Sequence, residues 1–547
     1  MPDSAQDSPR SNSDARDDGM SAIWESLRDP ALVQAIRYLE TDQLNEAEGV
    51  IRGYLRQKPG DALALAMMGD LADRLGIFVE AERFLRQATR LAPGFDDAHL
   101  KLAHVLKAQG RSDDAIAELD LFLARNQENL PALKAKERIL ADVGDYLGAI
   151  ECHKILLRLE PDKPGPLMRH GQALRTIGKA DEAAAAFQKA IEIDPQSAEI
   201  WWSLSNMKSY RFSQAEIDRM EALLPAARSD GDRTYFHFSL GKAYEDRKEY
   251  APSFDHYSAA NASRLKMVPH SQEDIERRVD DNIAFFNKEF LASRAGSGAA
   301  APDPIFIVGM PRAGSTLLEQ ILSSHAQVEG TAELPEMPAL VRRLISDRWQ
   351  DVNARYPNVI ADLNGDELRN VGNRYLADTK RHRKSDRPYF IDKLPMNWLQ
   401  SGLIHLILPN ATIIDARREA MACCFANFKQ HFARGQTFAY SLSDVGHYYR
   451  QYVRMMEHYD EVLPGRVIRL QHESLLDDPE AAIRNLLERM GLPFDEACLR
   501  FHENKRAVRT PSAEQVRRPL NRDAVDLWRN YDPWLGPLKQ ALGPLAQ

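Results

Sequence analysis

Small residues recur along the first half of the chain on one 34-residue lattice. Gly76, Gly110, Gly144 and Gly178 stand 34 apart, and Ala81, Ala115, Ala149 and Ala183 keep that register, preceded by Ala47. Pro59, Pro93, Pro161 and Pro195 share the lattice, with Gln127 at the missing step, and Gly69 and Gly171 mark a further common position. A period of this length predicts one helical hairpin per unit. The glycine ends the first helix, the alanine lets the second helix approach closely, and the proline closes the unit. One hairpin cannot bury its apolar face alone, so the units from about residue 31 to 195 are expected to stack into a right-handed superhelix with a concave groove. Past Pro195 the markers fade over 201–228 and return around Leu240-Gly241, Tyr244 and Ala260, for five to six helical pairs.

The pattern then changes period. Residues 292–302, ASRAGSGAAAP, are small and flexible in composition. Beyond them come short β-rich runs, Ile305-Phe306-Ile307-Val308, Tyr389-Phe390-Ile391, Thr412-Ile413-Ile414 and Arg466-Val467-Ile468-Arg469-Leu470, separated by longer helical stretches. That alternation predicts an α/β domain with a central parallel sheet, whose ligands sit at the carboxyl ends of the strands. The expected organisation is a disordered tail (1–22), an all-α repeat solenoid (23–265), a helical connector and linker (266–300) and the α/β domain (301–547).

Composition narrows the function. The chain has 547 residues, 44% hydrophobic and 28% charged, ample for two separate cores. Seventy-one Lys and Arg against 80 Asp and Glu leave a net charge of −9, which argues against a nucleic-acid coat, so any anion must be held locally. The four cysteines, Cys152, Cys423, Cys424 and Cys498, form neither a disulfide framework nor a zinc spacing. The start lacks an apolar signal region, and no later run approaches the roughly 20 residues of a membrane span. A cytoplasmic protein is the expectation.

After Val308 stands Gly309-Met310-Pro311-Arg312-Ala313-Gly314-Ser315-Thr316, then a helical run from Leu317. A strand, a glycine turn and a helix N-terminus make a ready anion site, with the Ser315 and Thr316 hydroxyls as added donors. The spacing is close to a phosphate-binding GxxxxGK[ST] loop, but Ser315 occupies the lysine position and Arg312 lies inside the loop. With no clear acidic magnesium ligand downstream, a P-loop NTPase or kinase-like enzyme becomes the alternative reading.

Two resemblances sharpen this. The 34-residue unit resembles the tetratricopeptide repeat. Residues 304–337, PIFIVGMPRAGSTLLEQILSSHAQVEGTAELPEM, resemble the 5′-phosphosulfate-binding region of sulfotransferases, most closely the tyrosylprotein sulfotransferases and their bacterial relatives. The likeness extends over about 23–547. It implies a P-loop-like sulfotransferase domain that uses 3′-phosphoadenosine 5′-phosphosulfate as co-substrate, without a metal. Pro311, Arg312, Ala313, Gly314, Ser315 and Thr316 would then cradle the 5′ phosphosulfate, with Arg312 facing the sulfuryl group in flight. Glu333 matches the catalytic base, which must take the proton of an attacking hydroxyl; His325 is the other conceivable base, with a core or capping role as its alternative. Lys393, at a strand end, and Ser512 match the residues that support the leaving phosphate, an ordinary salt bridge to Asp392 being the alternative for Lys393.

The 3′-phosphate site of the family is an arginine with a serine eight residues later. Arg418 fits the arginine, but the serine position is Ala426, and Lys429, one turn on, is the expected replacement. His472 stands where relatives carry an adenine-contacting tyrosine. Cys423 and Cys424 are expected to pack as small hydrophobes. The run Arg506, Arg509, Arg517, Arg518, Arg522 and Arg529 suits either a segment closing over a polyanion or a solvated basic loop. The acceptor is not legible, since it is shaped by loops such as 349–373. Protein tyrosine is the candidate, with carbohydrate or small-molecule hydroxyls as alternatives, and a peptide or protein is the expected occupant of the repeat groove. A repeat scaffold with a degenerate catalytic domain is the remaining reading, favoured by Ala426.

Overall fold

The computed structural model describes residues 19–348, 355–432, 435–504, 506–510, 512–522 and 525–546. The expected tail lies outside the described residues up to residue 18, and a helix, Met20–Ser26, begins before its expected end at 22. By compactness the chain divides between Leu174 and Arg175.

The lattice residues do what their chemistry predicts. In the first unit the helices pair as Pro30–Glu40 with Leu44–Gln57, Ala62–Arg74 with Phe78–Leu91, Asp96–Ala108 with Ser112–Leu123, and Leu130–Val143 with Tyr146–Leu159. Gly76, Gly110 and Gly144 follow the first helices with φ of 73°, 79° and 85°, a left-handed turn that costs glycine nothing. Ala47, Ala81, Ala115 and Ala149 on the second helices are fully buried. The close approach is tightest at Gly69, where a Cβ would lie 2.5 Å from Leu85 Cγ.

The helix Pro164–Thr176 runs up to the division, and the second unit continues with Ala180–Ile193. The stretch where the lattice fades holds Ala198–Ser205 and Gln214–Leu223, and a long hairpin, Asp230–Asp246 with Tyr250–Met267, restores the repeat. Segment 266–300, expected as a helical connector and linker, also contributes to the core. It carries the helices Gln272–Phe285 and Lys288–Ser293, and Ile275, Val279, Phe286 and Leu291 join one core with Phe238 and Tyr257 of the hairpin and Phe306 and Val308 of the sheet. The reason is apolar periodicity within an otherwise charged sequence.

The sheet has five parallel strands, β1 (Pro304–Gly309), β2 (Val328–Ala332), β3 (Tyr389–Asp392), β4 (Thr412–Arg417) and β5 (Val467–Gln471), in the order β2-β3-β1-β4-β5. Four follow the apolar runs of the sequence. The fifth, β2, escapes that reading because Val-Glu-Gly-Thr-Ala is a half-polar edge strand whose register shifts between Gly330 and Ala332. Central β1 is buried along its whole length. Ile305 and Ile307 face the helix Ser315–Ser323 through Leu318 and Ile321, while Phe306 and Val308 face the opposite core, the period of two that a strand imposes.

Candidate active site

The chain leaves β1 for β2 and β3 on one side of the sheet and later returns to β4 on the other. The crevice at the end of β1 is therefore the switch point where doubly wound sheets bind ligands. Gly309 turns there with φ 137°, and a Cβ would meet Ala416 O at 2.5 Å. Gly314, φ 93°, caps the helix Ser315–Ser323, and a Cβ on it would lie 2.6 Å from His472 Nδ1. The first N–H groups of that helix face the crevice end of the sheet, an anion-binding arrangement.

Arg312 sits between the two glycines at φ 65°, a region costly for a residue with a Cβ. Its backbone is pinned: Arg418 Nη1 donates to Arg312 O at 3.2 Å, and Asn427 Nδ2 donates to the preceding Pro311 O at 2.7 Å. Its Nη1 donates to Ser512 Oγ at 2.8 Å, bringing together two residues 200 positions apart. Its Nε is buried and has no hydrogen-bond partner among the described residues. Burial, and then the nearby Arg418 cation, push the Arg312 guanidinium down to about 10. Two like charges converging on one buried loop indicate a place built for an anion. Thr316 Oγ1 meets Thr510 Oγ1 at 3.2 Å on the same rim.

At the end of β3, Lys393 is almost fully buried and donates to Glu333 Oε1 at 2.5 Å. The alternative pairing with Asp392 does not form: Asp392 accepts from Tyr375 at 2.7 Å, and burial raises its carboxyl to about 7. Glu319 lies 3.9 Å behind Lys393 and pairs with Arg506 at 2.9 Å. Glu333 itself is 49% exposed. His325 is committed elsewhere. Its Nδ1 accepts from Gln327 N at 3.0 Å, which leaves Nε2 as donor to Pro493 O at 2.9 Å, a capping role in a buried position.

At the end of β4, Arg418 is buried and its carbonyl accepts from Tyr449 at 2.6 Å. Ala426 lies on the helix Ala420–Phe428 that follows. Lys429 is there as the sequence suggested, but its ammonium already holds both oxygens of Glu245, at 2.7 and 2.6 Å. Burial, and then Arg418, push His472 down to about 4, so the imidazole is neutral beside Gly314. Cys423 and Cys424 are fully buried, as small hydrophobes would be.

The basic run divides. Arg506 turns inward to Gln320 and Glu319, and Arg517 donates to Thr176 O and Arg506 O, whereas Arg522 and Arg529 pair with Asp477 and Asp526 on the surface. Sequence reasoning missed Glu319, Thr510, Asn427 and Glu245. Of these, only Glu319 carried a signal, as an acid on the apolar face of a helix. Segment 349–354 of the expected acceptor loop lies outside the described residues.

The sequence model of the sulfotransferase family matches residues 304–496, and tetratricopeptide-repeat models match 75–139 and 171–206. An uncharacterized protein of Aquifex aeolicus is 32% identical over 435 residues, 78% of this chain and 56% of that protein. Protein-tyrosine sulfotransferase A of Caenorhabditis elegans is 22% identical over 265 residues, 46% of this chain and 67% of its own. Among solved structures, the sulfotransferase domain of the Synechococcus PCC 7002 olefin synthase matches with a TM-score of 0.32 at 20% identity, covering 42% of this chain and 88% of that one. The chain thus spans little more than half the length of the Aquifex relative. No helix among the described residues is long and apolar enough to cross a membrane. The chain therefore carries tetratricopeptide repeats followed by a domain of the sulfotransferase family.

Proposed function

We propose that the α/β domain moves a sulfuryl group from 3′-phosphoadenosine 5′-phosphosulfate to an acceptor hydroxyl. The observation that carries this reading is the pair formed by Glu333 and Lys393 at 2.5 Å, together with a glycine loop whose Arg312 Nε is buried and unpartnered among the described residues. The residues fit such a donor. Glycines at 309 and 314 let the loop turn hard against Ala416 and His472, the N-terminus of the helix Ser315–Ser323 and Arg312 supply donors, and Arg418 adds a second cation.

When bound, the donor supplies an activated sulfuryl group; the rest is work for the side chains. Glu333 Oε1 is occupied by Lys393, so the proton of the acceptor hydroxyl passes to Oε2 as its oxygen bonds to sulfur. The sulfur–oxygen bond to the donor phosphate breaks, leaving adenosine 3′,5′-bisphosphate. Lys393 has three N–H donors. It holds Glu333 with one and offers another to the departing phosphate oxygen, with Ser512 adding a neutral donor. Arg312, fixed by Ser512, presents its planar fork to the sulfuryl oxygens.

Protein tyrosine is the first acceptor to test, on the strength of relatives named protein-tyrosine sulfotransferases in Caenorhabditis elegans and Drosophila melanogaster. Incubation of the protein with labelled sulfate donor, tyrosine peptides and a cell extract should transfer label. Calorimetry should detect adenosine 3′,5′-bisphosphate and no magnesium-dependent binding of ATP. Tight magnesium–ATP binding without bisphosphate binding would replace this reading by the NTPase one.

A further inference from the structure

One cation cluster beside the loop 309–316 is shared between the sheet domain and the helical segment before it. A small cavity of about 30 Å³ is lined by Arg312 and by Ala426, Lys429 and Gln430 from the sheet domain, and by Lys208 and Lys242 from the helical segment before it. Lys208 follows the short helix Ala198–Ser205, and Lys242 lies on Asp230–Asp246. Four cations thus surround a space whose lining includes one carboxylate, Glu245, already held by Lys429 at 2.6 Å. Lys242 is paired with Asp246, which also meets Arg211 at 3.3 Å. Lys208 makes no salt bridge among the described residues.

Its position is secured. The neighbouring Ser209 donates from both N and Oγ to Glu514 Oε2, at 3.0 Å each, two residues beyond the Ser512 that holds Arg312. Excess positive charge among half-buried side chains of this kind has a physical reason when an anion with two or more negative charges enters.

We propose that Lys208 and Lys242 complete, with Lys429 and beside Arg312, a phosphate-monoester pocket, and that its occupant is the 3′ phosphate of the donor, held by lysines of the helical segment where Ala426 provides no hydroxyl. The inference rests on the donor reading above and deepens it: the repeat segment is part of the co-substrate site. The charged and titratable groups facing Lys208 are Arg312, Lys242, Lys429, Glu245 and, across the cavity, His431 and Tyr257. Burial, and then Arg312, Lys242 and Lys429, push the Lys208 ammonium down to about 7. An entering phosphate raises it again, so binding near pH 7.5 takes up a proton.

The test is calorimetry on the full chain with two probes, adenosine 3′,5′-bisphosphate and adenosine 5′-monophosphate, for the parent, Lys208→Ala and Lys208→Arg. We expect Lys208→Ala to weaken the bisphosphate about tenfold or more while changing the monophosphate less than about twofold, and Lys208→Arg to retain most of the affinity. Repeating the titration in buffers of different ionisation enthalpy should reveal proton uptake in the parent that is lost in Lys208→Ala. Equal weakening toward both probes, no weakening, or unchanged proton uptake in Lys208→Ala would overturn the pocket assignment. Failure of the parent to bind either probe would instead overturn the donor reading beneath it.

Discussion

The hairpin Ala62–Arg74/Phe78–Leu91 and the hairpin Asp230–Asp246/Tyr250–Met267 share one packing device. In each, a glycine on the first helix admits a large side chain of the second: a Cβ on Gly69 would lie 2.5 Å from Leu85, and one on Gly241 would lie 2.7 Å from Tyr257. What they bury differs. The first fills its interior with Leu65, Met67, Leu71, Leu85 and several alanines. The second buries Ser253, whose hydroxyl donates to Gly241 O at 2.7 Å and meets Tyr531 at 2.8 Å, and Asn261, which donates to Phe428 O at 2.8 Å. It also presents Glu245 to Lys429. A repeat that packs only on its own kind keeps its lattice and its apolar faces, whereas a repeat that packs on a catalytic domain exchanges them for polar groups with specific partners. Loss of periodicity thus marks where the array meets the sheet domain.

Four substitutions probe that contrast. The largest effect belongs to the sheet domain: Glu333→Gln should lower turnover by about 10² to 10⁴ while adenosine 3′,5′-bisphosphate affinity is kept, read by single-turnover assay and calorimetry on one preparation. Loss of affinity together with thermal stability would make Glu333 a structural residue.

Next comes the polar interface of the last hairpin. Glu245→Ala leaves the part-buried Lys429 without its partner and should destabilise the protein by about 3 kcal/mol, the low end for a buried pair, in urea unfolding. Burial alone raises the Glu245 carboxyl, but Lys429 and then Lys242 and Lys208 outweigh it and hold the group below its ordinary value. A carboxyl lowered in the fold stabilises above its unfolded pKa, about 4, and loses that contribution as pH falls through the folded value. The difference between the parent and Glu245→Ala should therefore be full at pH 7 and shrink below about pH 4. A constant difference would show that packing, not charge, sets it.

Gly69→Ala forces Leu85 to move and should cost about 1 to 3 kcal/mol, seen as a lower Tm, without altering bisphosphate binding. A change in binding would break the division of labour between the two hairpins. The smallest effect is expected for Arg83→Ala, which removes an exposed pair with Glu80 at 2.6 Å and should stay within about 0.5 kcal/mol.

The legible parts of this protein share one property: they are local. A glycine every 34 residues determines where each helix ends, and buried alanines determine how closely the next returns. Ile305-Phe306-Ile307-Val308 followed by Gly309 and Gly314 determines a strand, a turn and an anion-ready helix start. The short half-polar strand β2 was not readable, because it lacks an apolar run, and the helical character of 266–300 was legible while its packing into the core was not. The tertiary structure alone decided which charges meet. Lys393 chooses Glu333 over its neighbour Asp392, Lys429 is taken by Glu245 from 184 residues away, and Lys208 arrives beside Arg312 without any motif. Charge partners across such distances depend on how separate elements pack, and no period or short spacing encodes that approach.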